Sequence, residues 1–407
     1  MGVKRVLIVA YYFPPAGGIG SLRVQGFARH LSEFGWEPVV LAPRNPAYHQ
    51  DEEAARIDVE VVRTGSFELS RVGKRVLRTG GDETSAAEVQ GLRQSLQRAA
   101  RGVLYYPDAQ IGWYPPAVRA GRRALRSRPF DAILSTSFPI TAHIVARQLH
   151  RASDVPWVAD FRDPWSLRLP EDTMQRRRAQ RLECRLAGEA ARAITVSPSW
   201  ARLFAQHWGR EVDVLPNGHD LGEGWRPASP GAELVAGYLG TYYPGTQDLT
   251  AVWAALAKLD EPLRVRAIGA PNAAFASQLD TAGLGDRLDV TGFVGPRTVL
   301  DELARCSVLL LAGPTESDPL SDGVVAGKVW EYLASGLPIL YVGDQRSDIA
   351  AILRSESGCA LHTVSDTEGI ARSLRQLHGH TFERDSSATS RRARSRALAE
   401  LLDAAIR

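Results

Sequence analysis

The sequence predicts an α/β protein made of two successive parallel-sheet, Rossmann-like domains. Three observations predict it. Apolar, strand-like runs alternate with helix-like segments along most of the chain; many of the runs end in Gly or Pro turns; and the alternation restarts near residue 232 after a Gly/Pro/Ser-rich stretch. Length agrees, because 407 residues exceed the roughly 150 of one ordinary domain. Hydrophobic residues at 44% and charged residues at 23% exclude a disordered or fibrous chain. No apolar run approaches the ~20 residues that span a bilayer. The N-terminal run passes straight into Pro14-Pro15 with no small-residue cleavage site, so it does not read as a signal peptide. Cys184, Cys306 and Cys359 stand far apart, which fits a reducing cytoplasm and no disulfide framework.

The elements follow in order. Val3–Ala10 is continuously apolar and reads as a buried parallel strand, closed by Pro-Pro-Ala-Gly-Gly. Ser21–Phe34 spaces Leu22, Phe27, Leu31 and Phe34 near the helical period, and Gly35 stops it. Pro38–Ala42 and Val59–Thr64 are further strands, while 66–128 is amphipathic and Arg-rich. Ala132–Thr136 is a strand followed by a helix through His150; Trp157–Phe161 is a strand ending in Arg-Asp-Pro-Trp. A helix over about 171–191, a strand at 193–197 and a short strand Val212–Leu215 close an N-terminal domain of residues 1–215. Residues 216–231 are expected as a linker. In a second domain, 232–385, strands Leu234–Leu239, Leu263–Ile268, Leu288–Thr291, Val308–Ala312 and Ile339–Val342 alternate with helices. Those helices end at Leu259 or cover about 271–282, 297–305 and 327–335. Residues 386–407 are expected as a C-terminal helix packing back on the first domain. In such sheets ligands bind outside the carboxyl ends of the strands, so two facing sheets would hold a cleft between them.

Charge and motifs narrow the function. Net charge is +3, and with four lysines (Lys4, Lys74, Lys258, Lys328) nearly all of the 49 basic residues are arginine. Arg71–Arg101 and Arg119–Arg128 are basic clusters. They read as solvated helix faces, or as a basic face toward an anionic membrane or a phosphorylated acceptor. No nucleic-acid module appears, so nucleic acid is not an expected partner. A dinucleotide fingerprint fails because Arg23 stands where the third glycine after Gly18 and Gly20 belongs. No HExxH, GxSxG or clustered His/Cys set appears, so neither metal nor cofactor is expected. His143, in the helix after Phe138-Pro139, reads as a packed or capping residue rather than a catalyst.

Four segments carry the chemistry: Pro14–Gly20 (PPAGGIG), Asp160–Trp165 (DFRDPW), Leu215–Gly218 (LPNG) and Gly327–Ile339 (GKVWEYLASGLPI). In this order, on two α/β halves, they resemble retaining glycosyltransferases of the GT-B fold, family 4, in a subgroup with DFRDPW and GKxxEYLA segments. The resemblance implies a hexosyltransferase-type enzyme with a nucleotide-sugar donor on the second domain and an acceptor hydroxyl on the first. The physical reading agrees. A helix starting near 327 offers free N–H groups and a positive dipole end to a diphosphate, and Lys328 adds a point charge. Glu331, one turn on, can accept both ribose hydroxyls. Val294, in the Gly292-Phe293-Val294 turn, is expected under the base, and Gly18 and Gly20 allow close backbone approach. Asp160, Arg162 and Asp163 form the candidate catalytic set, with Asp163 chosen to contact the acceptor and Arg162 either paired with an aspartate or positioning that hydroxyl.

The sequence departs from the family pattern at several positions. Arg162 occupies the place of a common family His, and Thr241 and Gln247 stand where Arg and Lys hold the donor phosphates. The first of two paired glutamates is Gly323, leaving Lys328 to supply phosphate charge and Asp318 or Asp322 to meet the sugar. The acceptor is expected to be a cell-envelope or lipid-linked glycan, with peripheral membrane contact, or a small natural product. Two other readings stand beside this one, a GT-B-fold sugar-nucleotide epimerase and an inactive sugar-nucleotide-binding partner subunit.

Overall fold

The computed structural model describes residues 2–16, 19–44, 57–67, 106–221, 225 and 231–407. The Arg71–Arg101 cluster lies outside the described residues, as do Gly17 and Gly18. In chain order the first elements are β1 (Lys4–Val9), α1 (Ile19–His30), β2 (Trp36–Pro43), β3 (Glu60–Thr64), α2 (Tyr114–Ser127) and β4 (Ala132–Thr136). Then come α3 (Thr141–Ser153), β5 (Trp157–Asp160), α4 (Met174–Glu189), β6 (Arg192–Thr195), α5 (Pro198–Trp208) and β7 (Asp213–Val214). The second series is β8 (Leu234–Leu239), α6 (Thr250–Leu256), β9 (Leu263–Ile268), α7 (Ala273–Thr281), β10 (Leu288–Val290), α8 (Pro296–Leu303) and β11 (Val308–Ala312). It continues with α9 (Lys328–Ser335), β12 (Ile339–Val342), α10 (Asp348–Arg354), β13 (Cys359–His362), α11 (Thr367–Leu377) and α12 (Arg391–Ala405).

The chain forms two compact units. The first is Met1–Val196, Phe204–Leu215 and Ser395–Arg407. Its seven strands run in the order β3-β2-β1-β4-β5-β6-β7, all parallel. Val6–Val9 are fully buried because helices cover both faces, which is why β1 reads as an unbroken apolar run. Leu398, Ala399 and Leu402 of α12 join the core of Val6, Ile8 and Trp36. Trp36 Nε1 donates to Asp403 at 2.9 Å.

The second unit is Ser197–Leu203 and Pro216–Arg394. Its six parallel strands run in the order β10-β9-β8-β11-β12-β13. Two expected boundaries shift here. Residues 197–203 belong to the second unit, because Ser197 Oγ donates to Gly323 O at 2.7 Å and the Ser199 amide and hydroxyl donate to Asp348, each at 2.8 Å. The stretch expected as a linker is partly built in: Gly218 packs so closely on the C-terminal segment that a Cβ would lie 2.6 Å from the Thr389 carbonyl. α10, β13 and α11, which lie between residue 342 and the expected C-terminal helix, were not expected. β13 is half-buried along its whole length and carries no apolar run, so its sequence gives no strand signal.

Candidate functional site

In the first unit, three strand ends and the start of α1 meet. Asp160, the last residue of β5, is fully buried and saturated. Arg23 Nε and Nη2 donate to its two oxygens at 2.9 and 3.0 Å, and Thr136 Oγ1 donates at 2.8 Å. Asp160 therefore holds Arg23 and the end of β4; its carboxylate has no free face for a substrate. Among the described residues Arg162 makes no ion pair with an aspartate, although the charges of Asp160 and Asp163 act on it. Its Nη1 donates to the Gly20 carbonyl at 2.9 Å and its Nε to the Ser137 carbonyl, so the guanidinium ties the start of α1 to the end of β4. Burial pulls its pKa below the ordinary arginine value. Asp163 is the open carboxylate of the motif, 39% exposed and 3.8 Å from Arg168. Desolvation holds its pKa above the ordinary aspartate value against the pull of Arg162 and Arg168. At Gly20 a Cβ would make only ordinary contacts, 3.7 Å to Tyr12 and 3.8 Å to Arg162, so the fold itself leaves room for a side chain there. His143 is fully buried, 2.7 Å from Ser135 Oγ and stacked near Phe161, and burial pushes its pKa down to about 3. It is a packed residue.

In the second unit the strands end in glycines of positive φ, Gly240 (+89°) after β8 and Gly269 (+116°) after β9, which lets the backbone turn away directly. The helix α9 is docked on the end of β8 through both backbone groups of one residue: Tyr332 Oη accepts from Leu239 N at 2.9 Å, and Lys328 Nζ donates to Leu239 O at 2.8 Å. Gly336 (φ +68°) closes α9 in the left-handed region. The Lys328 ammonium also lies 3.8 Å from the centroid of the Tyr238 ring. Half-buried, it makes no ion pair among the described residues, and desolvation draws its pKa down to about 7.

Glu331, one turn further, is 3.0 Å from Arg391 through Oε1. Desolvation pushes its carboxyl upward and Arg391 opposes that. Thr241 is exposed, and its carbonyl accepts from Tyr238 Oη at 3.2 Å. Gln247 is turned inward, which the family position does not suggest. Its Oε1 accepts from Tyr238 Oη and Tyr243 N, and its Nε2 donates to the Ala312 carbonyl. Val294 is half-buried against the core that holds Val329 and Trp330 of α9. Asp322 is engaged elsewhere, accepting from Ser317 Oγ while its carbonyl accepts from Asp348 N. Asp318 likewise accepts from Leu320 N and Ser321.

The structure thus groups Gly20, Asp160, Arg162 and Asp163 in one unit. In the other it gathers Lys328, Thr241 and Gln247 around Tyr238, with Glu331 and Val294 on and beside α9. Asp322 has no bond to that group. Sequence reasoning missed Tyr238, hidden in an apolar strand, and Arg391, one arginine in a basic run without a motif.

Residues 17–218 match the family model described as the glycosyl transferase 4-like domain. Among curated proteins none matches the sequence significantly. Solved structures align along nearly the whole chain. Sucrose-phosphate synthase from Thermosynechococcus elongatus is 13% identical, covers 99% of this chain and 96% of its own, and gives a TM-score of 0.62. HepE from Anabaena, in complex with UDP and glucose, is 17% identical, covers 99% and 97%, and gives 0.59. The lipopolysaccharide outer core galactosyltransferase WaaB is 11% identical, covers 99% of both chains and gives 0.56. The chain therefore has the GT-B fold, and residues 17–218 of it resemble the glycosyl transferase 4-like domain.

Proposed function

We propose that this protein transfers a sugar, with retention, from a nucleotide-sugar donor on the second unit to an acceptor hydroxyl on the first. The observation that carries the reading is Lys328, an ammonium stripped of much of its water and given no counter-charge by the described residues. A cation so placed at the start of a helix has its electrostatics completed by an anion, and a diphosphate suits both it and the free N–H groups there. The complexes of the Anabaena neighbour with UDP, and with UDP and glucose, support a donor of this class.

In this reading Lys328 and the first turn of α9 stabilise the charge that builds on the departing diphosphate. Glu331 accepts the ribose hydroxyls, and Val294 lies under the base. Asp163 orients the acceptor hydroxyl. The bond from the anomeric carbon to the phosphate oxygen breaks as the acceptor oxygen bonds on the same face. The leaving phosphate oxygen takes the acceptor proton, so no separate protein base is needed and Arg162 can stand in place of a histidine. Neither metal nor cofactor enters.

Two acceptor classes fit, a lipid-linked saccharide at an anionic membrane and a small aglycone. Exposed arginines on α2 (Arg119, Arg123, Arg126) and α4 (Arg177, Arg178, Arg181, Arg185) favour the first. Among the described residues no helix is long and apolar enough to cross a membrane, and the contact proposed is a peripheral one. Salt-sensitive sedimentation with anionic vesicles supports the membrane reading, and no sedimentation removes it. The donor site is tested by thermal-shift binding of UDP, GDP, dTDP and ADP to the native protein, Lys328→Met and Glu331→Ala. Stabilisation by one nucleotide, reduced in both variants, supports the reading; no stabilisation by any of them refutes it.

A further inference from the structure

Arg391 opens α12, and its guanidinium is only 11% exposed. Nη1 lies 2.6 Å from Asp220 Oδ2 and Nη2 lies 3.0 Å from Glu331 Oε1, so one fork spans two carboxylates from separate segments. Its backbone is equally fixed. Arg391 N donates to the His219 carbonyl at 2.8 Å, and His219 N donates to the Thr389 carbonyl at 3.3 Å. The His219 ring meets the Ser386 carbonyl at 2.9 Å, and His219 and Ser390 form a parallel bridge. Gly218 permits this approach, since a Cβ would strike the strap at Thr389 and Arg391. The LPNG motif therefore docks residues 386–391, and that strap delivers the guanidinium to α9.

A carboxylate that must accept two hydroxyls works only when aimed at them. The Arg391 fork grips the Glu331 carboxylate through Oε1. A planar fork anchored by Asp220 on its other side fixes direction in a way a single ammonium cannot. We propose that Arg391 is the positioning residue of the donor site, holding the Glu331 carboxylate in the orientation that accepts the ribose hydroxyls, with Asp220 as its anchor. This rests on the reading of Glu331 as the ribose acceptor.

The test titrates the full chain with UDP and dUDP, GDP and dGDP, and ADP and dADP, using the native protein, Arg391→Ala and Arg391→Lys, with melting curves to show that each is folded. Expected is a native preference of about tenfold for the ribose form of the nucleotide that binds. In both variants that preference falls to within about twofold while affinity for the deoxy form stays near native. Arg391→Lys, which keeps the charge and loses the fork, decides the matter if Arg391→Ala does not fold. A purely structural strap would weaken both sugars equally and keep the ratio, which overturns the proposal. A native protein that binds ribose and deoxyribose forms alike also overturns it, while leaving the diphosphate site standing. Failure of the native protein to bind any of the six overturns the donor-site reading and this inference together.

Discussion

Titrating Lys328 gives the sharpest test of the donor site. Its pKa in the free protein is drawn down to about 7, because the ammonium has exchanged water for one carbonyl and an aromatic face. A bound diphosphate restores the missing counter-charge and raises that value. If the rise is about two units, to near 9, binding at pH 8 takes up about 0.8 proton. Between pH 7, where nucleoside diphosphates are already largely ionised, and pH 9, affinity then falls by about 25-fold, or roughly 1.9 kcal/mol. The sign is fixed: the bound state holds the proton more tightly, so rising pH weakens binding. Calorimetric titration of the nucleotide in buffers of different ionisation enthalpy reads both the uptake and the affinity. Lys328→Met should bind weakly with no uptake and no slope from this group. Without ligand the same depressed value means that the native fold disfavours the charged lysine. Stability should therefore rise with pH above 7, and Lys328→Met should melt higher than native at pH 6. A native protein that binds nucleotide with the same affinity at pH 7 and 9 and without proton uptake refutes the assignment of Lys328 to the diphosphate.

Other predictions concern the frame around the two sites. Asp160→Ala removes the carboxylate that faces buried Arg23 and should cost about 3–5 kcal/mol in denaturant unfolding; a loss below about 1 kcal/mol would show that water reaches this pair. Gly323→Ala places a Cβ 2.2 Å from the Trp200 ring, and should destabilise by about 1–3 kcal/mol unless Trp200→Ala is made with it. Buried neutral His143, with its folded pKa near 3 against 6.5 for the ordinary side chain, binds fewer protons than the unfolded chain does. It contributes a loss of stability as pH falls below about 6.5, of up to about 1.4 kcal/mol per unit. Replacement by Gln should flatten that acid limb while leaving donor binding unchanged.

Most of the fold was legible because its strands are parallel and covered on both faces. β4, β8, β11 and β12 match the expected runs residue for residue, since burial on both sides demands near-continuous hydrophobicity, and β9 keeps its expected bounds although Arg264 and Arg266 interrupt its apolar residues. β13 escaped for the opposite reason, as a half-buried edge strand of mixed residues. α5 escaped because its start serves the second unit and its end the first, so its apolar residues, Trp200 and Phe204 among them, answer to two cores. At the candidate sites, residue type was legible and pairing was not. The sequence places Asp160 and Arg162 two residues apart, a spacing that shares one face within a strand, but β5 ends at Asp160 and the alternation does not carry on to Arg162. Asp160 therefore met Arg23, 137 residues away, and Arg162 met backbone carbonyls. Contacts of that sequence separation leave no local pattern, and the same holds for Arg391 and Glu331, 60 residues apart.

The departures from the family pattern form one physical arrangement. Gln247, at the place of a phosphate-binding lysine, spends both ends of its amide on the turn after β8, so that loop supplies no cation. Gly323, at the place of a glutamate, lies under Trp200, so no longer side chain fits there without moving that ring. Both changes take charge out of the loops around the strand ends. What remains is carried by one helix, with Lys328 at its start over Tyr238 and Glu331 one turn on under Arg391. A site built on a docked helix holds its charges more rigidly than one built on loops, because Lys328 and Tyr332 fix α9 to both backbone groups of Leu239 in β8. In the proposed reading, that rigidity lets Lys328 meet the donor diphosphate without help from the loops. Desolvation makes its charge costly in the free protein and correspondingly strong toward a diphosphate, since the attraction acts through little water.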